Sequence, residues 1–153
     1  MSEIHLKPIT AENWEKAVKL KLAEGQDQFV APNWYTILQG HFENIPVYGI
    51  YLDDTLMGLT MYGYSEESEG DFSIKGYGII RLMIDKAYQN KGYGRAVMEK
   101  IIADIKTKPD AKDIYISFEP ANTVARHLYG SLGFQDTGKI FYDEVLFHMP
   151  LTT

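Results

Sequence analysis

Ile79-Ile80-Arg81-Leu82-Met83-Ile84, then Tyr88-Gln89-Asn90-Lys91-Gly92-Tyr93-Gly94-Arg95, then Ala96 to Lys106 form the stretch from which the fold is read. An apolar run, a short turn with two glycines and a run of helical periodicity follow one another: strand, turn, helix. That order aims several backbone N–H groups and the positive end of a helix dipole at one spot, which suits a phosphate. Gly92 and Gly94 lack Cβ atoms, so main chain can close on a ligand, and Lys91 and Arg95 add positive charge. The loop is expected to hold the pyrophosphate of a cofactor. Two glycines alone favour an ordinary strand-to-helix turn, so residues further along have to decide.

Two common phosphate loops are excluded. A Walker loop needs Gly-Lys-Ser/Thr after a longer glycine spacing, and here Lys91 precedes Gly92. A dinucleotide fingerprint needs a third small residue, where this chain has Val97, and an acidic strand end about 20 residues on in a second βαβ unit. Gly76-Tyr77-Gly78 leads into a strand and serves no better.

The bulk numbers set further bounds. A chain of 153 residues with 45% hydrophobic content reads as a single domain, residues 1–153, with a sizeable core. Its 21 acidic and 15 basic residues give a net charge of −6, which disfavours nucleic acid and favours a cationic small molecule. The absence of cysteine removes disulfides, thiolate metal sites and cysteine nucleophiles. The four histidines (His5, His41, His127, His148) fall in no metal-ligand spacing, so no metal is expected. No basic segment leads into an apolar one near the N-terminus, and no run approaches membrane-spanning length. A cytoplasmic protein without membrane contact is the expectation.

Outward from the loop, the elements alternate. Ile4 to Ile9 reads as an edge strand because of Pro8, and Thr10 as the cap of a helix carrying Trp14, Ala17, Val18 and Leu22 on one face to near Gly25. A second helix from Pro32 is expected to turn Trp34, Ile37 and Leu38 inward and to stop at Gly40. Val47 to Leu52 and Leu56 to Tyr64 form a hairpin, Glu66 to Asp71 a charged turn, and Tyr77 to Ile84 a strand buried on both faces. The helix after the glycine loop carries Val97, Ile101 and Ile105 at four-residue spacing. Ile114 to Phe118 is a strand, Asn122 caps a helix over 123–132 with Gly133 at its end, and strands over 134–140 and 145–151 follow.

Arg81-Leu82-Met83-Ile84-Asp85, the Gln89-x-x-Gly92-x-Gly94 loop, Ile114-Tyr115-Ile116-Ser117, Asn122-Thr123-Val124-Ala125, Leu128-Tyr129 and Gly133-Phe134 together resemble the GNAT superfamily of acyl-CoA-dependent N-acetyltransferases. The loop is weakly specific alone; followed about 30 residues later by Asn-x-x-Ala-x-x-x-Tyr-x-x-x-Gly-Phe it is strongly so. The resemblance implies an α/β fold with one mixed, mostly antiparallel sheet of about six or seven strands and about four helices. Within the superfamily the chain is most similar to bacterial spermine/spermidine acetyltransferases, through Gly58-Leu59-Thr60-Met61-Tyr62-Gly63, Ile84-Asp85, Glu119 and Gln26-x-x-Phe29-Val30. It departs at Ile80, where such relatives often carry an acidic residue.

What the resemblance implies can be set against the chemistry. Acetyl-CoA would be the co-substrate, held by Gln89, Asn90, Lys91, Gly92, Tyr93, Gly94 and Arg95, with Asn122 and Arg126 as further contacts. Main chain at Leu82, Met83 and Ile84 would meet the pantetheine arm and the developing oxyanion. Tyr129 would protonate the leaving thiolate; read from residues alone it is a core aromatic beside Ala125 and Leu132. The acceptor would be a primary amine of a polyamine, or else an aminoglycoside, an amino acid or a protein N-terminus. An alkyl ammonium has a pKa of about 10.4, so neutralising it at pH 7 costs roughly 4–5 kcal/mol and requires a proton acceptor. Glu24, Asp71 and Glu119 are the candidates for substrate contact, and with Glu66 for proton removal; the choice among them stays open. A non-catalytic acyl-CoA-binding module is the alternative of a different class, and a homodimer is expected from family likeness.

Overall fold

The computed structural model describes residues 2–151. Seven strands form one sheet in the order β1-β2-β3-β4-β5-β7-β6. They are β1 (Ile4–Pro8), β2 (Val47–Leu52), β3 (Thr55–Glu69), β4 (Phe72–Ile84), β5 (Asp113–Phe118), β6 (Gln135–Phe141) and β7 (Glu144–Pro150). The helices are α1 (Trp14–Val18), α2 (Asn33–Glu43), α3 (Tyr93–Lys106) and α4 (Thr123–Ser131). The pairs β1–β2, β2–β3, β5–β7 and β6–β7 are antiparallel, and β4–β5 is parallel. This is the mostly antiparallel α/β fold expected. A parallel neighbour needs a crossover connection, and α3, lying between β4 and β5 in the chain, supplies it.

The chain divides into two compact units. The first runs to Tyr62 and takes in Arg81–Lys100; the second takes in Gly63–Ile80 and everything from Ile101. In the first, Ala17, Leu59 and Met83 are buried, with Ile9, Leu20, Leu22, Val30, Ile37, Val47 and Leu56 packed against them. In the second, Ile74, Phe141 and Leu146 are buried, with Phe72 and Tyr115 against them. The apolar stripe of α3 is buried as its spacing required: Val97, Met98, Ile101 and Ile105 are fully enclosed and Ile102 nearly so.

Several local expectations are corrected. α1 covers Trp14–Val18, and its N-cap position is Asn13 rather than Thr10. Asn13 is fixed there because its Oδ1 accepts from the Thr10 N–H (2.7 Å) while its Nδ2 donates to the Pro8 carbonyl and the Tyr51 hydroxyl (3.1 Å each). Trp14, Trp34 and Leu38 are exposed, and α2 buries its small residues Thr36 and Gly40 instead. Gly40 does not end α2: a Cβ there would collide with the Val47 side chain and the Ile45 carbonyl, so glycine serves close packing. The stop is Asn44, in the left-handed conformation at φ 57°. The charged turn at 66–71 is shorter than expected: β3 runs to Glu69 and β4 starts at Phe72, so only Gly70 (φ 62°) and Asp71 make the turn of a long hairpin. Lys75 pairs there with Glu66 at 3.5 Å; the β3 end, Glu66–Glu69, is exposed at every position and carries no alternation, whereas Phe72 and Ile74 on β4 turn inward.

Candidate functional site

In the first unit the glycine loop is built by its own sequence. β4 ends at Ile84, and Asp85 caps a single 3-10 turn, Lys86–Tyr88, by accepting from the Ala87 N–H. Asn90 (φ 62°) and Gly92 (φ 82°) both take left-handed backbone, which tips the chain into α3 at Tyr93. Nothing lies within 4 Å of where a Gly92 Cβ would project, and Lys91 and Arg95 are exposed beside it. The first N–H groups of a helix have no partner within it, so the start of α3 offers donors, a dipole and two cations around an open position. That combination fits a diphosphate.

Leu82, Met83 and Ile84 close β4. Met83 is buried and its neighbours half-buried. Among the described residues the parallel ladder to β5 comprises Tyr77↔Ile114, Gly78↔Tyr115 and Ile79↔Ile116, so these three residues lie beyond its end. On the β3 side the strand is pinned: the Thr60 hydroxyl donates to the Arg81 carbonyl at 2.8 Å, and Gly58 passes the Met83 carbonyl so closely that no side chain fits.

Gln89 is placed differently from a simple ligand. Its Nε2 donates to the Ile84 carbonyl and to Gln26 Oε1, both at 2.8 Å, and its Oε1 accepts from Gln26 Nε2 at 3.0 Å. Both of its amide hydrogens are thus engaged within the protein. The segment holding Gln26 walls an open cleft of about 550 Å³ lined by Lys21, Glu24, Asp27, Asn33 and Trp34 among others. Glu24 therefore faces a concave surface with a second carboxylate and an indole that is 53% exposed.

The second unit holds the other named residues. Asn122 caps α4, its Oδ1 accepting from the Ala125 N–H at 3.1 Å. α4 ends as expected at Gly133, φ 107°, with the Phe134 N–H donating to the Tyr129 carbonyl. Arg126 pairs with Asp136 at 3.3 Å and lies over the rings of Phe118 and Phe147, so its charge already has an anion beside it. Tyr129 is half-buried against Phe118 and Phe134, with centroids 5.6 and 6.3 Å away. Glu119 is half-buried just past β5, and Asp71 is exposed at the β3–β4 turn.

Burial, and then the charge of Glu144, push the Tyr129 hydroxyl up to about 12. Glu144 was not singled out from the sequence. It accepts a 2.8 Å hydrogen bond from the Ser117 hydroxyl, a contact between strands that no local pattern announces. Tyr77 is also pushed up to about 12, first by its 2.6 Å hydrogen bond to Asp110. Both phenols are neutral in the folded chain beyond the pH at which unfolded tyrosine ionises, about 10. Their contribution is complete below pH 10 and lost as pH rises toward 12. The urea midpoint should stay flat from pH 7 to about 9.5 and fall above 10; a midpoint still level at pH 11.5 would contradict these environments.

Among the described residues no group of three or more His, Cys, Asp or Glu could hold a metal ion, and no helix is long and apolar enough to cross a membrane.

Comparison with known proteins accords with this architecture. Residues 9–134 match the acetyltransferase (GNAT) family. The probable spermine N(1)-acetyltransferase of Bacillus subtilis subsp. natto is 28% identical over 143 residues, 92% of this chain and 93% of that protein. The spermine/spermidine N(1)-acetyltransferase of Bacillus subtilis strain 168 is 27% identical over the same shares. In fold, the chain is similar to the aminoglycoside acetyltransferase AAC(6')-Ib in complex with coenzyme A, with a TM-score of 0.79 and 15% identity, covering 97% of this chain and 95% of that one. With strand, glycine loop and helix in the order its chemistry needs, the chain belongs to the GNAT family and is an acetyl-CoA-dependent N-acetyltransferase.

Proposed function

We propose that the chain transfers the acetyl group of acetyl-CoA to a primary amine of spermidine or spermine, residues 1–153 acting as one domain. The observation that carries the substrate class is the cleft of about 550 Å³ that sets Glu24 and Asp27 beside the exposed ring of Trp34. Carboxylates and an indole face suit a flexible polycation, which gains from both Coulomb attraction and cation–π contact. The names of the two Bacillus relatives support the same choice. Glu119 and Asp71 are kept as further amine contacts.

Acetyl-CoA supplies an activated acyl group as a thioester. The chain's own work is to bind, orient and move protons. Main-chain amides from Asn90 to Arg95 hold the diphosphate, aided by Lys91 and Arg95, while Gln89 acts through its backbone. Asn122 and Arg126 are assigned to the same ligand. Main chain at Leu82–Ile84 lines the pantetheine arm and stabilises negative charge on the attacked carbonyl. A carboxylate or a water leading to one removes the ammonium proton, and Tyr129 donates toward the departing sulfur. A cytoplasmic homodimer, joined through the C-terminal strands, completes the proposal.

Thiol release from acetyl-CoA, followed with a panel of spermidine, spermine, an aminoglycoside, an amino acid and a peptide N-terminus, tests the substrate. The polyamines should give the highest kcat/KM. Preference for another amine would remove the polyamine assignment and leave the acetyltransferase. Tight CoA binding with no transfer to any amine would instead favour an acyl-CoA-binding module.

A further inference from the structure

We propose that Gln26, on the acceptor-side segment, is a positioning residue for the cofactor loop, clamping it through a two-way amide pair with Gln89; this rests on the reading of that loop as the diphosphate site.

The two residues are 63 positions apart, yet they exchange hydrogen bonds in both directions, at 3.0 and 2.8 Å. Backbone groups fix which way each amide faces. Gln26 Oε1 also accepts from the Ala23 N–H (3.2 Å), and Gln89 Nε2 also donates to the Ile84 carbonyl (2.8 Å). Flipping either amide would set oxygen against oxygen or N–H against N–H, so one arrangement alone satisfies every group. Nearby, the Lys21 N–H donates to Asp85 Oδ2 at 2.8 Å and the Lys86 N–H donates to the Lys21 carbonyl at 2.7 Å. The segment from Lys21 to Gln26 and the chain from Ile84 to Gln89 are therefore joined at both ends.

The loop needs such a clamp. Directly after Gln89 come Asn90 and Gly92 with φ of 62° and 82°. Glycine and asparagine adopt left-handed backbone at least cost, so the turn's conformation is its own, while its position is set by how Gln89 is held. Gln89 is the last residue before that stretch, and its side chain has no amide hydrogen left for a ligand. Its contribution to cofactor affinity thus runs through Gln26: release the clamp and the N–H groups at the start of α3 lose their fixed aim. A loop misplaced by an ångström loses much of the benefit of oriented donors.

The test uses methionine, which keeps the unbranched length of glutamine without its hydrogen bonds. Calorimetric titration with CoA is run on the wild type, Gln26→Met, Gln89→Met, the double variant and Gln28→Met, an exposed neighbour as control. Each clamp variant should bind CoA about tenfold more weakly, as expected for loss of a satisfied, part-buried pair. The double variant should be little worse than either single one, because both remove the same contact. Gln28→Met should match the wild type. In the steady state, KM for acetyl-CoA should rise about tenfold with kcat within about twofold. Gln26→Glu, which sets a carboxylate oxygen against Gln89 Oε1 and adds a negative charge near the loop, should bind CoA at least as weakly as Gln26→Met. A merely structural pair would lower Tm while leaving CoA affinity unchanged, and that result, or additive losses in the double variant, would overturn the proposal. If the wild type itself gives no heat with CoA, the diphosphate reading fails instead. Should Gln26→Met not fold, Gln26→Glu and Gln89→Met carry the same comparison.

Discussion

Replacing Tyr129 by phenylalanine is expected to lower kcat about 10²-fold while leaving the affinity for CoA within about twofold. The ring keeps its place, because the contacts that hold it are the aromatic faces of Phe118 and Phe134 and not the hydroxyl. Magnitudes decide how large the loss should be. With its hydroxyl pushed up to about 12, Tyr129 is a weak acid beside a thiol whose pKa is about 8.5. Complete transfer from one to the other is uphill by about 3.5 units, or roughly 5 kcal/mol. In the proposed role Tyr129 would act chiefly as a hydrogen-bond donor to developing negative charge, which places the expected effect at the low end of the general-acid range of about 10²–10⁴. The same value has a pH consequence. Tyr129 stays protonated as pH rises past 10, so it contributes no alkaline fall in kcat below about pH 11. Single-turnover rates and CoA calorimetry on the two proteins check this. Equal kcat in wild type and variant would show that the hydroxyl takes no part.

The second large effect is expected at Gly92. Gly92→Val should weaken CoA binding by roughly 10²-fold with little change in kcat at saturating acetyl-CoA. A β-branched residue is a genuine outlier at positive φ, and Gly92 sits at 82°. The space around its missing Cβ is open, so no clash within the protein adds to this conformational cost. The remaining loss comes from a branched side chain standing where main chain should approach the phosphates. Gly92→Ala separates the two causes: it retains most of the backbone strain but little of the bulk, and should fall between wild type and valine. A Gly92→Val protein that melts normally and binds CoA with unchanged affinity would show that the diphosphate sits elsewhere.

Where local chemistry dictates local structure, the sequence was a sufficient guide. The apolar run to Ile84, two glycines and the four-residue spacing of α3 are adjacent in the chain and need no tertiary partner to be recognised. The same holds for α4, announced by Asn122 at one end and Gly133 at the other. Errors arose where distant residues decide. Gly40 stays inside α2 because Val47 and Ile45 press against it, and a glycine that ends a helix is spelled the same way. Trp14, Trp34 and Leu38 were expected inward on apolarity alone, but α2 turns Thr36 and Gly40 to the interior. The β3 end of the hairpin, Glu66–Glu69, is wholly exposed, so that strand carries no alternating pattern.

The site divides along the same line. Gly92, Asn122 and Tyr129 were legible because motif spacing fixes each to a helix end or face. The partners that Gln26 and Glu144 find were not legible. One meets Gln89 across 63 positions and the other meets Ser117 across 27, distances at which only the folded chain brings partners together. For the candidate carboxylates, composition could say only that acidic residues are abundant. The fold puts Glu24 in a cleft with Asp27 and Trp34, which is more than their order in the chain implies.

All of this depends on a diphosphate bound where the glycine loop turns into α3. Calorimetric titration of the purified chain with CoA is the most direct measure. Saturable binding at one site per chain is expected, weakened by added salt because Lys91 and Arg95 are exposed. No detectable association with CoA at any salt concentration would contradict it.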